Sequence, residues 1–321
     1  MLSRSAQGLY WMGRTLERAE HLCRLLRNQV ESLVDRPVRD IHFGWSRIYG
    51  SLHRQPPVGN LEPGGDEDFT LADSYTLADD LTFERLNPAS VWSCFYLGRE
   101  NARQMRHCIS SDMWSSLNLA YLRLQGQRIE DIWRTSPEDF YTQTCRDIHA
   151  FGGVAEATMY RDEGWRFIRL GRFIERAQLA SSLFLAHMAA AKAQEESLDS
   201  DSTSLLHVYR AFAGYKQQHS VEIEPDRVMT LVVTDPRLPS SLCRSLDTVA
   251  QELEAIGPGP VTQDSAAAAR LAGRLCALIR YDWPDVEDHE ALLRKANRYC
   301  RDLHDLITAA YMEYPIEDHT P

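Results

Sequence analysis

An eight-residue motif that occurs twice constrains the fold of this chain more than any other feature of its sequence. Met12-Gly13-Arg14-Thr15-Leu16-Glu17-Arg18-Ala19 returns as Leu170-Gly171-Arg172-Phe173-Ile174-Glu175-Arg176-Ala177. The two copies lie 158 positions apart (175 − 17), about half of the 321 residues, and each copy follows an aromatic and apolar run. A repeat at this spacing predicts two structurally similar halves.

A second pair of segments agrees with an internal duplication. Asn87-Pro88-Ala89-Ser90 resembles Asp235-Pro236 followed by Pro239-Ser240-Ser241, at an offset of 148 positions (236 − 88). The two offsets differ only by the length of a loop. We therefore predict two helical repeats, over residues 1–153 and 154–321, that form one compact unit with Gly152-Gly153 between them.

The spacing of apolar residues indicates helices along most of the chain. Leucines and methionines recur at the helical period from Leu9 to Val34, and β-branched runs are nearly absent. The exception, Val228–Val233, fits either a strand or a buried helix. We predict an all-α bundle whose further helices span residues 41–52, 111–125, 137–151, 165–194, 265–280 and 288–311.

Proline and glycine predict the ends of two more helices. Asn87 is placed as an N-cap with Pro88 as the first helical residue, where the missing proline N–H costs nothing. Pro236 and Pro239 are predicted to begin another helix, which Gly257-Pro258-Gly259-Pro260 ends.

Two segments are predicted to lie outside the helices. Residues 55–66 are rich in proline and glycine and predict a surface loop or lid. Residues 195–202 are polar and acidic and predict a solvated linker.

Composition excludes several classes of protein. The net charge of −11 disfavours general attraction to nucleic acid or to an anionic membrane. No apolar stretch is long enough to span a bilayer, and Met1-Leu2-Ser3-Arg4-Ser5 lacks the apolar region of a signal peptide, so we expect a cytosolic protein. The seven cysteines include no Cys-x-x-Cys pair, which favours reduced thiols over disulfides or a zinc ribbon.

Other chemical motifs are weak or missing. The acidic run Asp282-x-x-Asp285-x-x-Asp288 contains Pro284 and fits a loop and helix cap better than a magnesium site. No phosphate-binding loop, nucleophile elbow or helical zinc pair occurs, so we assign no metal or cofactor to the chain.

The charged residues of the repeated motif fall on one face of each helix. Positions i, i+3 and i+4 are neighbours on a helix, so Glu17 shares a stripe with Arg14, and Glu175 with Arg172. Gly98-Arg99-Glu100-Asn101-Ala102-Arg103 is a third Gly-Arg-x-x-x-Arg segment. Glycine inside a helix costs about 1 kcal/mol relative to alanine, so three such glycines beside arginines predict close helix packing.

Three interpretations of this charge pattern remain open. The pairs could be a solvated helix face, a buried structural ion-pair network between the halves, or the lining of an anion-binding cleft. Arginine matches carboxylate and phosphate with a bidentate fork, and Glu17 and Glu175 would be the candidate general bases of such a cleft. The predicted substrate-binding residues are Arg14, Arg18, Arg99, Glu100, Asn101, Arg103, Arg172 and Arg176.

Taken together in this order, several segments resemble the Alpha-E family, which consists of bacterial all-helical proteins with a recurring Glu-Arg motif. The opening run through Tyr10-Trp11-Met12-Gly13-Arg14 and Glu17-Arg18-Ala19 is similar to the start of that family. The resemblance continues through the segments Asn87-Pro88-x-Ser90, Arg99-Glu100-Asn101-Ala102-Arg103, Trp114…Leu117-Asn118 and Thr158-Met159…Gly171-Arg172…Glu175-Arg176-Ala177. Asp235 stands where the second Asn-Pro copy would have asparagine, and no Arg-Glu-Asn-Ala-Arg segment follows it.

The resemblance implies a place in a larger system. Alpha-E proteins are typically encoded or fused beside a circularly permuted ATP-grasp protein, often with a transglutaminase-like peptidase and sometimes a proteasome-like peptidase. These neighbouring proteins imply ATP-dependent amide-bond formation on small peptides or amino acids. Any ATP binding would then be supplied by the ATP-grasp partner.

Three hypotheses follow from the residues and the resemblance. In the leading one, the chain binds an anionic substrate or intermediate in an Arg/Glu-lined cleft and works with the ATP-grasp protein. In the alternative, the chain is a non-catalytic scaffold whose Glu-Arg pairs are structural and whose exposed apolar helix face docks the partner. A third, an independent enzyme acting on prenyl diphosphates, would need paired acidic metal motifs that the sequence does not clearly contain.

Overall fold

The computed structural model describes residues 1–57, 67–193, 198–219, 222–259 and 262–313. Within these ranges the chain is all-helical, as predicted, and contains no strand. The α-helices are α1 (Ser3–Asp35), α2 (Val38–Ser51), α3 (Glu67–Thr82), α4 (Val91–Gln104), α5 (Ser111–Gln125), α6 (Ile129–Trp133), α7 (Pro137–Thr158), α8 (Glu163–Ala193), α9 (Leu198–Val208), α10 (Phe212–Gln218), α11 (Pro225–Thr234), α12 (Leu242–Ile256), α13 (Thr262–Ala277) and α14 (His289–Tyr311). A π-helical turn, Leu278–Asp282, follows α13.

Two long helices form the centre of the fold. Helix α1 has 33 residues, which corresponds to a length of about 50 Å. It packs against α8, α4 and α7, while α8 also contacts α12, α14 and α2. Buried apolar residues from both halves form one contiguous core around these two helices. The pairing of α1 with α8 therefore brings the two motif copies together.

Glycines allow α1 and α8 to cross at short distance. A Cβ atom on Gly13 would overlap the carbonyl oxygen of Ile168, and one on Gly171 would overlap the carbonyl oxygen of Tyr10. Gly98 has the same role where α4 meets α1, since a Cβ there would lie 2.8 Å from Cδ2 of Leu16. The prediction that the motif glycines mark close helix packing is confirmed at all three positions.

Two predicted helix starts are wrong, for the same physical reason. Asn87 does not cap α4: its Oδ1 accepts the N–H of Ala89 in a turn, at 3.0 Å, and the N-cap is Ser90. In the second half, Oδ1 of Asp235 accepts the N–H of Arg237 at 2.8 Å, and Ser241 caps α12. In both places the Asx-Pro segment forms a turn that precedes the helix.

Two predicted helix breaks also differ from the structure. Helix α7 continues through Gly152-Gly153, so this glycine pair does not form a helix break between the proposed repeats. The predicted linker at residues 195–202 is helical from Leu198 onward, and Asp201 and Ser202 are buried. Residues 195–197 of that segment, and residues 58–66 of the predicted loop or lid, lie outside the described residues.

Most other helices agree with the prediction within a few residues. Helix α5 has the predicted bounds, and Val228–Val233 belongs to the helix α11 and not to a strand. Helix α12 ends at Ile256, directly before the Gly-Pro segment. In the part of the chain described here, none of the helices has the combination of length and apolar character required to cross a membrane.

Candidate functional site

The two motif copies bind each other reciprocally at the crossing of α1 and α8. Glu175 accepts hydrogen bonds from Nε of Arg14 and Nε of Arg18, each at 2.6 Å. Glu17 accepts from Nε of Arg172 at 2.9 Å and from Nε and Nη2 of Arg176 at 2.6 and 2.7 Å. Each glutamate is thus held by both arginines of the other copy. We call Arg14, Glu17, Arg18, Arg172, Glu175 and Arg176 the crossing cluster.

Burial within the crossing cluster is uneven. Glu17 and Glu175 are each 1% exposed, and Arg14 and Arg176 are also buried. The side chains of Arg18 and Arg172 are 31% and 34% exposed to solvent. The carboxylates are therefore enclosed by protein, while one arginine on each side reaches toward solvent.

The arginines keep both glutamates ionised. Burial by itself raises the pKa of Glu17, but the neighbouring Arg176 and Arg172 outweigh burial and leave this pKa below its ordinary value. In the same way, Arg14 and Arg18 lower the pKa of Glu175 against the effect of burial. A general acid or base is usually tuned toward neutral pH, and these carboxyls are shifted in the opposite direction.

Polar side chains outside the predicted set extend the cluster. Glu20 lies 2.8 Å from Nε2 of His149 and accepts from Nη2 of Arg172 at 3.2 Å. Gln178 accepts from Nη2 of Arg14 at 2.5 Å. Glu20 and Gln178 each follow a motif glutamate by three residues, so the helical face that predicted the other contacts could have indicated these two.

His21 follows Glu17 by four residues, on the same face of α1, and lies in the interior. It is buried, and burial lowers the pKa of its imidazole to about 3. The ring is therefore neutral at physiological pH. Its Nε2 is buried without a hydrogen-bond partner among the described residues.

Small cavities border the crossing cluster on two sides. One has a volume of about 250 Å³ and is lined in part by Arg18, Glu175 and Arg301. The other has a volume of about 90 Å³ and is lined in part by Glu17 and Arg172. The more exposed arginine of each motif copy therefore lies beside a cavity.

The third Gly-Arg segment forms a separate group on α4 and α5. Arg99 donates from Nε to Oδ1 of Asn118 at 3.0 Å and from Nη1 to Glu100 at 2.5 Å, and its guanidinium lies over the rings of Trp114 and Tyr121. Exposed Arg103 donates to Glu100 at 2.8 Å.

Asn101, the remaining predicted residue on this segment, is half-buried on α4. The predicted substrate-binding residues thus fall into two groups, of which only one contains Glu17 and Glu175.

The acidic run near the C-terminus has a structural role at one of its positions. Asp288 is the N-cap of α14 and accepts the N–H of Ala291 at 2.9 Å. Across the described ranges, no three histidine, cysteine or carboxylate side chains are grouped so that they could hold a metal ion.

The fold and the crossing cluster define an all-helical protein organised around paired Glu-Arg dipeptides. The Alpha-E family, described as a predicted alpha-helical domain with a conserved ER motif, matches residues 1–312. The chain belongs to the Alpha-E family, as the sequence segments predicted. Glu17-Arg18 and Glu175-Arg176, at the crossing of α1 and α8, are two of the three Glu-Arg dipeptides in the chain; the third is Glu84-Arg85.

Curated relatives are mycobacterial and much longer than this chain. Three uncharacterized proteins, Mb2597 of Mycobacterium bovis and MT2643 and Rv2567 of Mycobacterium tuberculosis, are each 22% identical to it over 339 residues. Each match covers 96% of this chain and 36% of the relative, so the chain spans about a third of the length of these relatives. No solved structure matches the chain significantly.

Proposed function

We propose that this chain is a non-catalytic helical scaffold in an ATP-grasp-associated system that forms amide bonds on small peptides or amino acids. In this proposal the crossing cluster is a structural clamp that fixes α1 against α8. The ATP-grasp protein supplies ATP binding and chemistry, and the helical chain positions that protein or an associated transglutaminase-like or proteasome-like peptidase.

The reciprocal pairing of Glu17 and Glu175 is the observation that carries this proposal. Both carboxylates are buried, each accepts hydrogen bonds from two arginines, and both have lowered pKa values. A carboxylate that is buried and held ionised in this way lacks the near-neutral pKa that proton transfer requires. The arrangement instead resembles a buried ion-pair network, which favours one helix register.

We also infer that the clamp joins two halves related by duplication. The crossing cluster is reciprocal, α4 packs on α1 as α12 packs on α8, and an Asx-Pro turn followed by a serine N-cap precedes both α4 and α12. These correspondences support the repeats predicted over residues 1–153 and 154–321.

Two observations support a role beside another protein. The match covers 36% of each mycobacterial relative, so most of each relative lies outside the part similar to this chain. Helices α4 and α5, which pack together, carry exposed apolar side chains at Tyr96, Leu97, Leu119 and Leu122. We propose that the solvent-facing side of this pair of helices is the docking face, since exposed apolar groups that form a contiguous surface favour protein contacts.

A second candidate function is binding of an anionic substrate beside the crossing cluster. The cavity of about 250 Å³ next to Arg18 favours it, because the partly exposed guanidinium there could meet a carboxylate or phosphate group. Under this hypothesis Glu17 and Glu175 orient the arginines, or act as bases as first predicted, and the scaffold surface is secondary.

Mass spectrometry of reaction products separates these two functions. The ATP-grasp protein is incubated with ATP and mixed amino acids, with and without this chain, and new amide products are measured. We expect product to depend on the chain, to be lost when Leu119→Glu and Leu122→Glu are combined, and to persist when Arg18→Gln and Arg172→Gln are combined. Glutamate is a good helix former, so the leucine double variant should fold. In the arginine double variant Glu175 keeps Arg14 and Glu17 keeps Arg176 as partners, and circular dichroism checks that both variants are folded.

The opposite pattern would contradict the scaffold proposal. Loss of product in the Arg18→Gln/Arg172→Gln variant, with full product in the Leu119→Glu/Leu122→Glu variant and both variants folded, would favour the anion-binding cleft. An identical product profile with and without the chain would contradict both functions.

A further inference from the structure

A basic cleft lies beside the crossing cluster and is formed by residues that the sequence patterns did not single out. It lies between α1, α7 and the C-terminal end of α9, and its volume is about 260 Å³, near the lower end for small-molecule sites. Its lining contains four arginines and two histidines, and no carboxylate among the described residues. The basic residues are Arg24, Arg27, Arg146, His149, His207 and Arg210.

Basic residues from α1, α7 and the end of α9 line this cleft. Arg24 and Arg27 on α1, and Arg146 and His149 on α7, are pairs at i, i+3, a spacing that places both residues on one helix face. His207 lies in the last turn of α9, and Arg210 follows the end of that helix. Three elements therefore bring basic residues to one cleft in a chain whose net charge is −11; of these residues, Arg27 is paired with Glu31 and His149 lies beside Glu20.

Arg24 is buried and has an unused hydrogen-bond donor. Its Nη1 donates to the carbonyl of Val208 at 3.3 Å, and its Nε lies 3.9 Å from Oε1 of Glu20, too far for a hydrogen bond. This Nε is enclosed by protein without an acceptor among the described residues. Buried polar groups are normally paired, so an orphaned donor in the wall of a cleft points to a missing acceptor.

Arg146 and Arg210 differ from the arginines of the crossing cluster. Both are exposed, and neither has an ion pair within the described ranges, whereas every arginine of the crossing cluster faces a glutamate. Arg210 has a φ of 53°, a left-handed conformation that glycine or asparagine usually holds after a helix. The cleft therefore presents guanidinium groups that the protein itself does not neutralise.

We propose that this cleft binds a small, multiply charged oxyanion, such as the phosphate or carboxylate groups of a small molecule. Guanidinium forks match both groups bidentately, and Asn28 and Thr142 in the lining add donors for the remaining oxygens. The enclosed volume fits a small ligand and not a polymer. This site borders the crossing cluster through Arg24, whose Nη2 lies 3.8 Å from Oε1 of Glu17, and the proposal does not depend on the scaffold role.

Isothermal titration calorimetry of the full chain at low ionic strength tests the proposal, with pyrophosphate and citrate as probes. The variants are Arg146→Gln and Arg210→Gln. Arg227→Gln is the matched control, because Arg227 is an exposed arginine on α11 outside the cleft and its loss changes the net charge equally. Hydrogen bonds to charged groups are strong, so each cleft variant should raise the Kd at least tenfold, with Arg227→Gln unchanged.

The outcomes are separable. Saturable binding of either probe that is weakened by both cleft variants and not by the control supports the proposal, and the tighter probe identifies the phosphate or carboxylate source. Absence of saturable binding of both probes, or equal weakening in all three variants, would overturn it. Because Arg146 and Arg210 are exposed and unpaired, the cleft variants are expected to unfold at the same denaturant concentration as the parent chain.

Discussion

Replacing Gly171 with alanine is expected to lower the free energy of unfolding by about 3 kcal/mol. The added methyl group would overlap the backbone carbonyl of Tyr10 on α1, and neither helix can move without disturbing the ion pairs of the crossing cluster. Alanine is intrinsically the better helix former by about 1 kcal/mol. A decrease in the free energy of unfolding would therefore show that packing outweighs helix propensity. Chemical denaturation of both proteins measures the difference.

Gly153 provides a matched control for this substitution. It lies within α7, is exposed, and has no atom within 4 Å of the position of an added Cβ. Gly153→Ala should therefore stabilise the protein by about 0.5–1 kcal/mol. If Gly171→Ala stabilises the protein to the same degree, the close crossing of α1 and α8 is not correct.

Glu17→Gln is expected to cost about 3–5 kcal/mol of stability, the range for removing one partner of a buried ion pair. The amide has a single acceptor oxygen, whereas the carboxylate accepts three hydrogen bonds from Arg172 and Arg176. Arg172 can turn toward solvent, but Arg176 is buried and would keep an uncompensated charge. Denaturant titration at neutral pH measures the loss.

Glu100→Gln makes the same chemical change in a more exposed place. Glu100 pairs with Arg99 and with the exposed Arg103, so its loss should cost about 1 kcal/mol or less. Equal effects of Glu17→Gln and Glu100→Gln would indicate that the crossing cluster contributes no more than a surface ion pair.

The sequence predicted the helical class well because apolar periodicity is a local signal. Helix α5 could be placed at its observed bounds since Ser110 caps its start and Gly126 follows its end. The start of α4 was harder to predict, because both Asn87 and Ser90 can cap a helix. The turn formed by the Asn87 side chain leaves that role to Ser90. Local propensity did not decide between them.

The continuity of α7 through Gly152-Gly153 could not be predicted from propensity. Two adjacent glycines disfavour a helix, yet α7 packs along α1 and α5, and tertiary packing commonly outweighs propensity. Tertiary contacts also explain why a segment predicted as a solvated linker contains a buried residue such as Asp201. Asp201 forms an ion pair with the buried Arg47 and contacts His187, partners that are distant in sequence.

The residues of the crossing cluster were predictable, but their partners were not. Spacing at i, i+3 places Arg14 beside Glu17 on the same helix, and that local pair is what the sequence indicates. In the structure Arg14 donates to Glu175 on the other helix. Partner choice depends on where α1 and α8 cross, which the motif glycines fix and which no single helix reveals.

The basic cleft had a sequence signal of a different kind. Its basic residues lie in three segments that are far apart in the sequence (24–27, 146–149 and 207–210), and a pair of basic residues at i, i+3 is by itself typical of a solvated helix face. Their convergence is a property of the tertiary fold. A search restricted to repeated or adjacent motifs finds the crossing cluster and misses the cleft beside it.

The measurement that most directly tests the structural role of the Glu-Arg motif is a pH titration of the Glu17 and Glu175 carboxyl groups by carbon NMR. Peaks are assigned with Glu17→Gln and Glu175→Gln. Because the arginines lower both pKa values, the stabilisation by these carboxylates is present at neutral pH and is lost only as the pH falls below about 4.5. The account predicts that both groups stay ionised down to that pH. Protonation of either carboxylate between about pH 5 and 8 would contradict the clamp and indicate a catalytic acid or base.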